Sequence, residues 1–269
     1  MAPASASLEV GSLLRKWRNQ RRVTQLEVAL DAGISARHLS FVETGRSKPG
    51  RAMLLRVAEC LAIPYRERNE ILLAAGYALA FPERSLQDQA LAPVREALDR
   101  ILAAHEPYPA IVFDRRWNLV AANAGMSVLV EGADIHPSLL EPTVNVLRLG
   151  FHPRGLAPYI MNLAHWRSHF LGRLAQQIAI SADSELSALL EELTRYSDGD
   201  EDARAHPEIE AGNFLGPMRM RRPGGGEWSF FGMFAGFDTP FEVTTSELAL
   251  ELLFPADRVT RRAFTKGTS

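Results

Sequence analysis

The chain has 269 residues, of which 46% are hydrophobic and 23% are charged. This length exceeds one ordinary domain, and the composition suits a globular protein with substantial cores. No run of about 18 uncharged apolar residues occurs, and the first residues are small and polar, so we expect neither a membrane span nor an export signal. The sequence therefore predicts a cytoplasmic protein of two domains.

Charge is divided unevenly along the chain. Residues 1–80 contain 12 Lys and Arg against 7 Asp and Glu, whereas residues 81–269 contain 18 against 25. A basic first part is thus joined to an acidic second part within a formal net charge of −2. The basic excess favours polyanion binding by the first part, although an imbalance of this size is weak evidence by itself.

The single cysteine, Cys60, excludes an internal disulfide. It follows an apolar periodic stretch, so we expect a buried structural thiol. A redox sensor would instead need an exposed position that stabilises the thiolate.

The first segments carry helical patterns. Apolar residues Leu14 and Trp17, with basic residues between and around them, predict an amphipathic helix over about residues 8–21. Thr24 is followed three residues later by Glu27, which is the spacing of a capping box. This box predicts the start of a second helix, which runs to about residue 31.

A glycine turn separates the second helix from a third. Gly33 supplies the turn and Ser35 caps the third helix, in which Leu39 and Val42 face inward. Two short helices joined in this way form a helix-turn-helix. Further helices over about residues 51–61 and 66–75 complete a five-helix module.

Residues 8–75 resemble the phage repressor and Cro type of DNA-binding domain, the Xre family. The matching positions are residues 24–25, 29, 33–35, 39–40, 43–46, 49, 54–55 and 57–58. In that family the third helix enters the major groove, and the loop after it holds the phosphate backbone. The resemblance implies a set of DNA-binding residues: Gln25, Ser35, Ala36, Arg37, Ser40, Phe41, Arg46, Ser47 and Lys48.

The chemistry of these side chains separates two roles. Arg37 can donate two hydrogen bonds to a guanine, and Ala36 can contact a thymine methyl. Phe41 could touch a base or pack on the surface of the module, and both interpretations stay open. Gln25 and residues 46–48 are expected to bind phosphates.

The pattern changes between residues 76 and 91, where periodicity is lost and a proline occurs. We predict a DNA-binding domain over 1–78, a linker over 79–91 and a second domain over 92–269. The second domain begins with a helix over about 93–104 and a hairpin over 109–122. A long helix over about 157–180 precedes three strands over 218–221, 228–237 and 248–252.

This element order predicts an α+β fold in which an antiparallel sheet is covered by helices, as in PAS-like sensors. The strand over 228–237 is apolar on both faces, which suits a central position in the sheet. Residues 224–226 are three glycines, and we predict a hairpin turn there rather than a phosphate-binding loop, because no helix start follows.

Most of residues 92–264 resemble the MmyB-like regulators. The resemblance is carried by residues 113–123, 145–149, 152–153, 155–158, 162–164, 166–167 and 254–257. It implies a PAS-like ligand-binding domain and a small apolar effector such as a fatty acid. The implied function is control of transcription in response to that ligand.

A ligand with an acidic head group and an apolar tail would need a polar residue to bind the head group and apolar residues to line the space for the tail. The polar candidates are Asn145, Arg148, His152 and Asn162, and the wall candidates are Met161, Trp166, Phe230, Phe231, Met233 and Phe234. Each has a plainer alternative. Arg148 could pair with an acidic neighbour, and an aromatic stripe is often ordinary core.

We therefore predict a homodimeric, sequence-specific regulator that binds double-stranded DNA, with repression as the expected mode. No catalytic constellation, metal site or resident cofactor is predicted. A second hypothesis is that the C-terminal domain serves only as a dimerisation or protein-partner platform and holds no ligand.

Overall fold

The computed structural model describes residues 4–181, 183–196, 216–237 and 242–265. They form two compact units, one from the described residues within 4–85 and 242–246 and the other from the described residues within 86–237 and 247–265. In the described parts of the chain, no helix has the length and apolar composition needed to cross a bilayer.

The first unit contains the five predicted helices. They are α1 (Ala4–Gln20), α2 (Gln25–Asp31), α3 (Ala36–Glu43), α4 (Arg51–Cys60) and α5 (Tyr65–Ala74). Their inward faces bring together leucines that are almost fully buried, among them Leu14, Leu39, Leu54 and Leu72. Burial of these side chains from several helices provides the main stabilisation of the unit.

The helix starts follow the predicted capping chemistry. The Thr24 hydroxyl accepts a hydrogen bond from the amide of Glu27, and the Glu27 carboxylate accepts one from the amide of Thr24. Ser35 caps α3 by accepting from the amide of His38 at 3.1 Å. The capping box and the cap of α3 are therefore confirmed.

Cys60 departs from expectation. It lies at the end of α4 and is exposed, so the prediction of a buried thiol was wrong. The neighbouring apolar residues Val57, Ala58 and Leu61 fill the core, and Cys60 falls on the other side of the helix.

A later part of the chain also packs in the first unit. The short helix α11 (Val243–Ser246) contacts α5. The amide of Val243 donates to the carbonyl of Pro82 at 2.9 Å, and the Thr244 hydroxyl donates to the carbonyl of Arg84 at 2.6 Å.

The second unit is organised around a five-stranded antiparallel sheet. The strands are β1 (Ala110–Phe113), β2 (Leu119–Ala122), β3 (Met218–Arg221), β4 (Glu227–Gly236) and β5 (Ala249–Pro255), in the order β2-β1-β5-β4-β3. The predicted hairpin corresponds to β1 and β2. The strand expected at the centre, β4, lies between β5 and β3, whereas the middle strand is β5.

Helices cover both faces of this sheet. They are α6 (Ala92–His105), α7 (Ala124–Val130), α8 (Val146–Phe151), α9 (Leu163–Ser181), α10 (Ser184–Arg195) and α12 (Arg258–Thr265). Leu98 and Leu102 of α6 pack with Leu250 on one face. Trp166 and Phe170 of α9 pack in the core on the other face. The predicted α+β class is confirmed, and the layout is compatible with a PAS-like arrangement.

The helix predicted over residues 157–180 is interrupted. A 3-10 turn at Ala157–Tyr159 comes first, and α9 begins only at Leu163. Between them the amide of Met161 donates to the carbonyl of Arg219 at 2.8 Å, and Ile160 forms a bridge with Met220. Pairing with the edge strand β3 thus holds this segment out of the helix.

The three glycines form the turn between β3 and β4, as predicted. Gly224, Gly225 and Gly226 have φ values of 87°, 105° and 91°. Residues with a side chain rarely adopt this left-handed backbone conformation, so glycine at these positions allows the chain to reverse tightly between the two strands.

Candidate DNA-binding surface and ligand cavity

The outer face of α3 presents the residues predicted to read bases. Arg37 is exposed, while Ala36, Ser40 and Phe41 are half-buried. The guanidinium of Arg37 lies 5.3 Å from the centroid of the Phe41 ring. An aromatic ring stabilises a cation that lies over its face, so the Phe41 ring stabilises the Arg37 guanidinium in this position. The structure thus places these four residues on one helix, α3.

A buried carboxylate fixes α1, α2 and α3 to one another. Glu43 accepts two hydrogen bonds from Arg18, at 2.7 and 2.9 Å, and one from the side-chain amide of Gln25 at 2.7 Å. Gln25 uses one of its two side-chain amide hydrogens in this contact. Glu43 belongs to the positions that resemble the Xre family, but its ion pair with Arg18 was not predicted from the sequence.

The loop after α3 is closed by backbone hydrogen bonds. The amides of Arg46 and Ser47 both donate to the carbonyl of Phe41, at 2.8 and 3.1 Å. Gly45, with φ of 71°, allows the chain to reverse there. Arg46 and Lys48 are exposed, so their charges are available to a polyanion.

The second unit encloses an apolar cavity of about 290 Å³ between the sheet and the helices. Its walls come from α7, α8, α9 and four of the strands. They include Ile111, Leu119, Met126, Leu129, Val146, Leu149, Phe151, Trp166, Phe170, Met220 and Leu253. A concave apolar site between a sheet and its covering helices is a typical place for a small ligand.

Glu251 is the one ionisable residue among the described residues that line this cavity. Burial raises the pKa of its carboxyl to about 7, and the positive charge of Arg173 opposes that rise. In the sequence, Glu251 alternates with Leu250 and Leu252, which predicts a strand whose two faces differ. Alternation shows that two faces differ, but not which of them meets solvent.

Trp117 borders the cavity in an unusual backbone conformation. Its φ is 65°, a left-handed value that is uncommon for a bulky residue. The ring stacks on Phe113 with centroids 4.8 Å apart, and its indole nitrogen donates to Gln177 at 3.0 Å. These contacts stabilise Trp117 in this conformation at one wall of the cavity.

The predicted ligand residues do not gather around the cavity. Of the ten, Trp166 lines it. Arg148, the predicted head-group cation, forms a two-pronged ion pair with Glu192, with nitrogen–oxygen distances of 2.8 to 3.0 Å. The hydrogen bonds from Arg148 and from Tyr196 outweigh the desolvation of Glu192 and lower the pKa of this carboxyl. The guanidinium therefore links α8 to α10.

The other polar candidates make contacts within the protein. The carbonyl oxygen of Asn145 caps α8, and Asn162 bonds the backbone of Pro217 and Arg219. The ring of His152 meets Tyr196 edge-on at 4.8 Å, and its Nδ1 accepts from the amide of Arg154. Asn145 thus stabilises a helix start, Asn162 connects the segment before α9 to β3, and His152 contacts both its own turn and Tyr196.

The apolar candidates on β4 are divided between the two faces of the strand. Phe230 is fully buried and Phe234 packs against Trp117, whereas Phe231 and Met233 are 38% and 45% exposed. Successive residues of a strand point to opposite faces, so these four cannot share one cavity wall. Met161 is also exposed, on the short segment before α9.

Comparison with known families assigns both units. A model described as the MmyB-like transcription regulator ligand binding domain matches residues 94–266. The chain belongs to the MmyB-like transcription regulators. A second model, described as a helix-turn-helix, matches residues 14–67 and covers most of the five-helix module of this MmyB-like regulator.

One relative is an uncharacterized HTH-type transcriptional regulator, RghRB, from Bacillus subtilis (strain 168). It is 32% identical over 103 residues, which are 38% of this MmyB-like regulator and 66% of the relative. The match therefore spans slightly less than two thirds of the relative's length. A crystal structure of the clp gene regulator ClgR from Corynebacterium glutamicum matches with 25% identity and a TM-score of 0.24, covering 38% of this chain and 95% of that one. At that TM-score the likeness carries no weight.

Together, the helix-turn-helix and the ligand-binding domain make this MmyB-like protein a transcription regulator. The first unit carries an exposed arginine on α3 and exposed basic residues in the following loop. The second unit carries an apolar cavity with a single acid. These are the features from which its function is inferred.

Proposed function

We propose that this protein binds a specific DNA sequence through α3 and that a small apolar molecule in the cavity changes its affinity for that DNA. Repression is the expected outcome at the promoter, and the cytoplasm is the expected location. The observation that carries the proposal is the apolar cavity of about 290 Å³, which lies in a chain that also carries a helix-turn-helix.

In the proposed complex with DNA, the start of α3 enters the major groove. Ala36, Arg37, Ser40 and Phe41 lie on its outer face with Ser35 at its cap, so they are within reach of base edges. Gln25 and residues 46–48 then face the phosphates. Two such modules in a homodimer would read paired half-sites, because one small module gains limited affinity alone.

The ligand side rests on the size and chemistry of the cavity. A volume near 290 Å³ is at the lower end of the range for small-molecule sites, and most of its walls are hydrocarbon. A medium-chain fatty acid or a similar apolar compound matches that space. Trp166 is the predicted contact that the cavity retains.

Mass spectrometry of the compounds released by denaturing the purified full chain tests this proposal. We expect an apolar compound near one per chain. It should be depleted in Met126→Trp, which fills the cavity, and retained in the control Met161→Trp, which alters an exposed residue outside it.

The second hypothesis, a platform without ligand, predicts a different result. No compound would be released from the wild type, and no apolar additive would raise its melting temperature. The two variants would then also behave alike in DNA binding, which fluorescence anisotropy on a site selected from random DNA would measure.

A further inference from the structure

One acid is found among the described residues that line the cavity, and it lies at the centre of the sheet. Glu251 is on β5, the middle strand, and its cross-strand partners are Ile111 on β1 and Phe234 on β4. Leu250 and Leu252, its neighbours in sequence, pack on the opposite face in the core with α6. The Glu251 side chain therefore points to the cavity side, between two apolar neighbours.

Gly232 of β4 borders this carboxyl. A Cβ placed at Gly232 of β4 would lie 3.5 Å from Oε1 of Glu251 and 3.7 Å from Cη2 of Trp166. The carboxyl and the indole thus border the same glycine. Trp166 is 4% exposed, and its indole N–H has no hydrogen-bond partner among the described residues.

The carboxyl of Glu251 also lacks a hydrogen-bond donor among the described residues. Arg173 of α9 is the charged residue whose field acts on it, and the Arg173 guanidinium lies 4.2 Å from the centroid of the Phe234 ring. Glu251 is half-buried and lines the cavity, so its carboxyl is partly removed from water, and an acceptor or a charge in such a position is disfavoured when it has no donor or partner. A donor supplied by a ligand would remove that cost.

We propose that the cavity takes an apolar ligand that carries a hydrogen-bond donor, such as a hydroxyl, amine or amide, and that Glu251 accepts this bond and selects against a free carboxylate. This inference rests on the proposed ligand-binding function and narrows its chemistry: among the apolar compounds considered there, it disfavours a fatty acid and favours a compound of similar size with a neutral or cationic donor. A carboxylate ligand would place two like charges in one apolar space, which strongly disfavours binding when both are ionised.

The volume sets the size of a suitable probe. At about 30 Å³ for each water-sized group, the space holds roughly ten such groups. Three eight-carbon probes, 1-octanol, octylamine and octanoate, share a tail of that size and differ only in the head. Trp117 and Trp166 both line the cavity, so tryptophan fluorescence reports its occupancy.

The test is titration of each probe, at pH 8, into the ligand-stripped full chain. We expect octanol and octylamine to bind at least about tenfold more tightly than octanoate, which is about 1.4 kcal/mol of discrimination. In Glu251→Gln the preference should shrink to within about threefold, because the charge is lost while the shape is kept. Glu191→Gln, an exposed acid on α10, is the matched control and should keep the wild-type order.

The outcomes separate this inference from the proposed function. Tightest binding of octanoate to the wild type, or an unchanged preference in folded Glu251→Gln, would overturn the inference alone. Failure of all three probes to bind would overturn both the inference and the ligand cavity. If Glu251→Gln fails to fold, the order of the three probe affinities in the wild type still tests the inference, and Glu251→Met serves as a second variant.

Discussion

Arg37 and Lys48 are proposed to bind DNA in two different ways. Arg37 lies on the outer face of α3, held over Phe41, while Lys48 lies in the following loop with its ammonium 5.9 Å from the centroid of the Tyr77 ring. Base contacts carry sequence information and phosphate contacts do not. The two residues should therefore fail in different ways when they are truncated.

For Arg37→Ala we expect a loss of about 1–3 kcal/mol on the selected site and little change on random DNA. Lys48→Ala should weaken both kinds of DNA similarly and lower the salt dependence of binding by about one unit of slope. Fluorescence anisotropy at several salt concentrations measures both. Equal losses on specific and random DNA in Arg37→Ala would contradict its assignment to base readout.

The raised pKa of Glu251 also predicts how the stability of the folded protein depends on pH. Burial raises its pKa to about 7 from an ordinary 4.5, so the folded state holds the proton more tightly than the unfolded state does. The resulting stabilisation is complete below pH 4.5 and is lost as the pH rises through 7, at a cost of up to about 3 kcal/mol.

Urea unfolding of the empty protein at pH 5 and pH 8 checks this effect. Three of the four tryptophans, at positions 117, 166 and 228, lie in the second unit and report mainly on it. The loss of unfolding free energy between the two pH values should be smaller in Glu251→Gln than in the wild type. An identical loss in both proteins would show that Glu251 titrates as an ordinary surface acid.

At the scale of elements, the ion pair of Arg148 with Glu192 connects α8 to α10. The two side chains are 43% and 27% exposed, so solvent screens their attraction. Exposed pairs contribute about 0.2–1 kcal/mol, and the two-pronged geometry favours the upper part of that range.

A double-mutant cycle with Arg148→Ala and Glu192→Gln should give a coupling energy of up to about 1 kcal/mol in unfolding free energy. Octanol binding should change little in Arg148→Ala, because this residue is not among those that line the cavity. A large loss of binding without loss of stability would restore Arg148 as a ligand contact.

Local elements could be predicted from the sequence because their causes are local. The capping box at Thr24 and Glu27 and the glycine turn at residues 224–226 each depend on side chains a few positions apart. The cavity depends on distant pairings instead. Arg148 is satisfied by a partner 44 residues away, and the face of Glu251 is decided by strands far along the chain. No periodicity of one segment contains that information.

For the whole molecule, the proposal requires that ligand and DNA affect each other. If a cavity ligand changes DNA affinity by a given factor, DNA must change ligand affinity by the same factor. We expect a coupling of about fivefold or more, measured by titrating DNA with and without octanol and octanol with and without DNA. Met126→Trp should abolish the coupling, whereas Met161→Trp should preserve it. Absence of coupling in the wild type would separate DNA binding from ligand sensing.

The first unit is formed by two separate segments of the chain, so a single cut in the sequence does not separate the two units. Residues 242–246 pack with the first unit, where Glu242 approaches Arg84 at 3.5 Å and Val243 bonds Pro82. A fragment that ends at Ser85 would carry all five helices but would leave Pro82 and Arg84 without these partners. Chimeras made by exchanging the ligand-binding domain at one junction would inherit the same gap. A transferable DNA-binding unit must also include α11, which contacts α5. Because each unit consists of two separate segments of the chain, exchange of the ligand-binding domain requires three junctions.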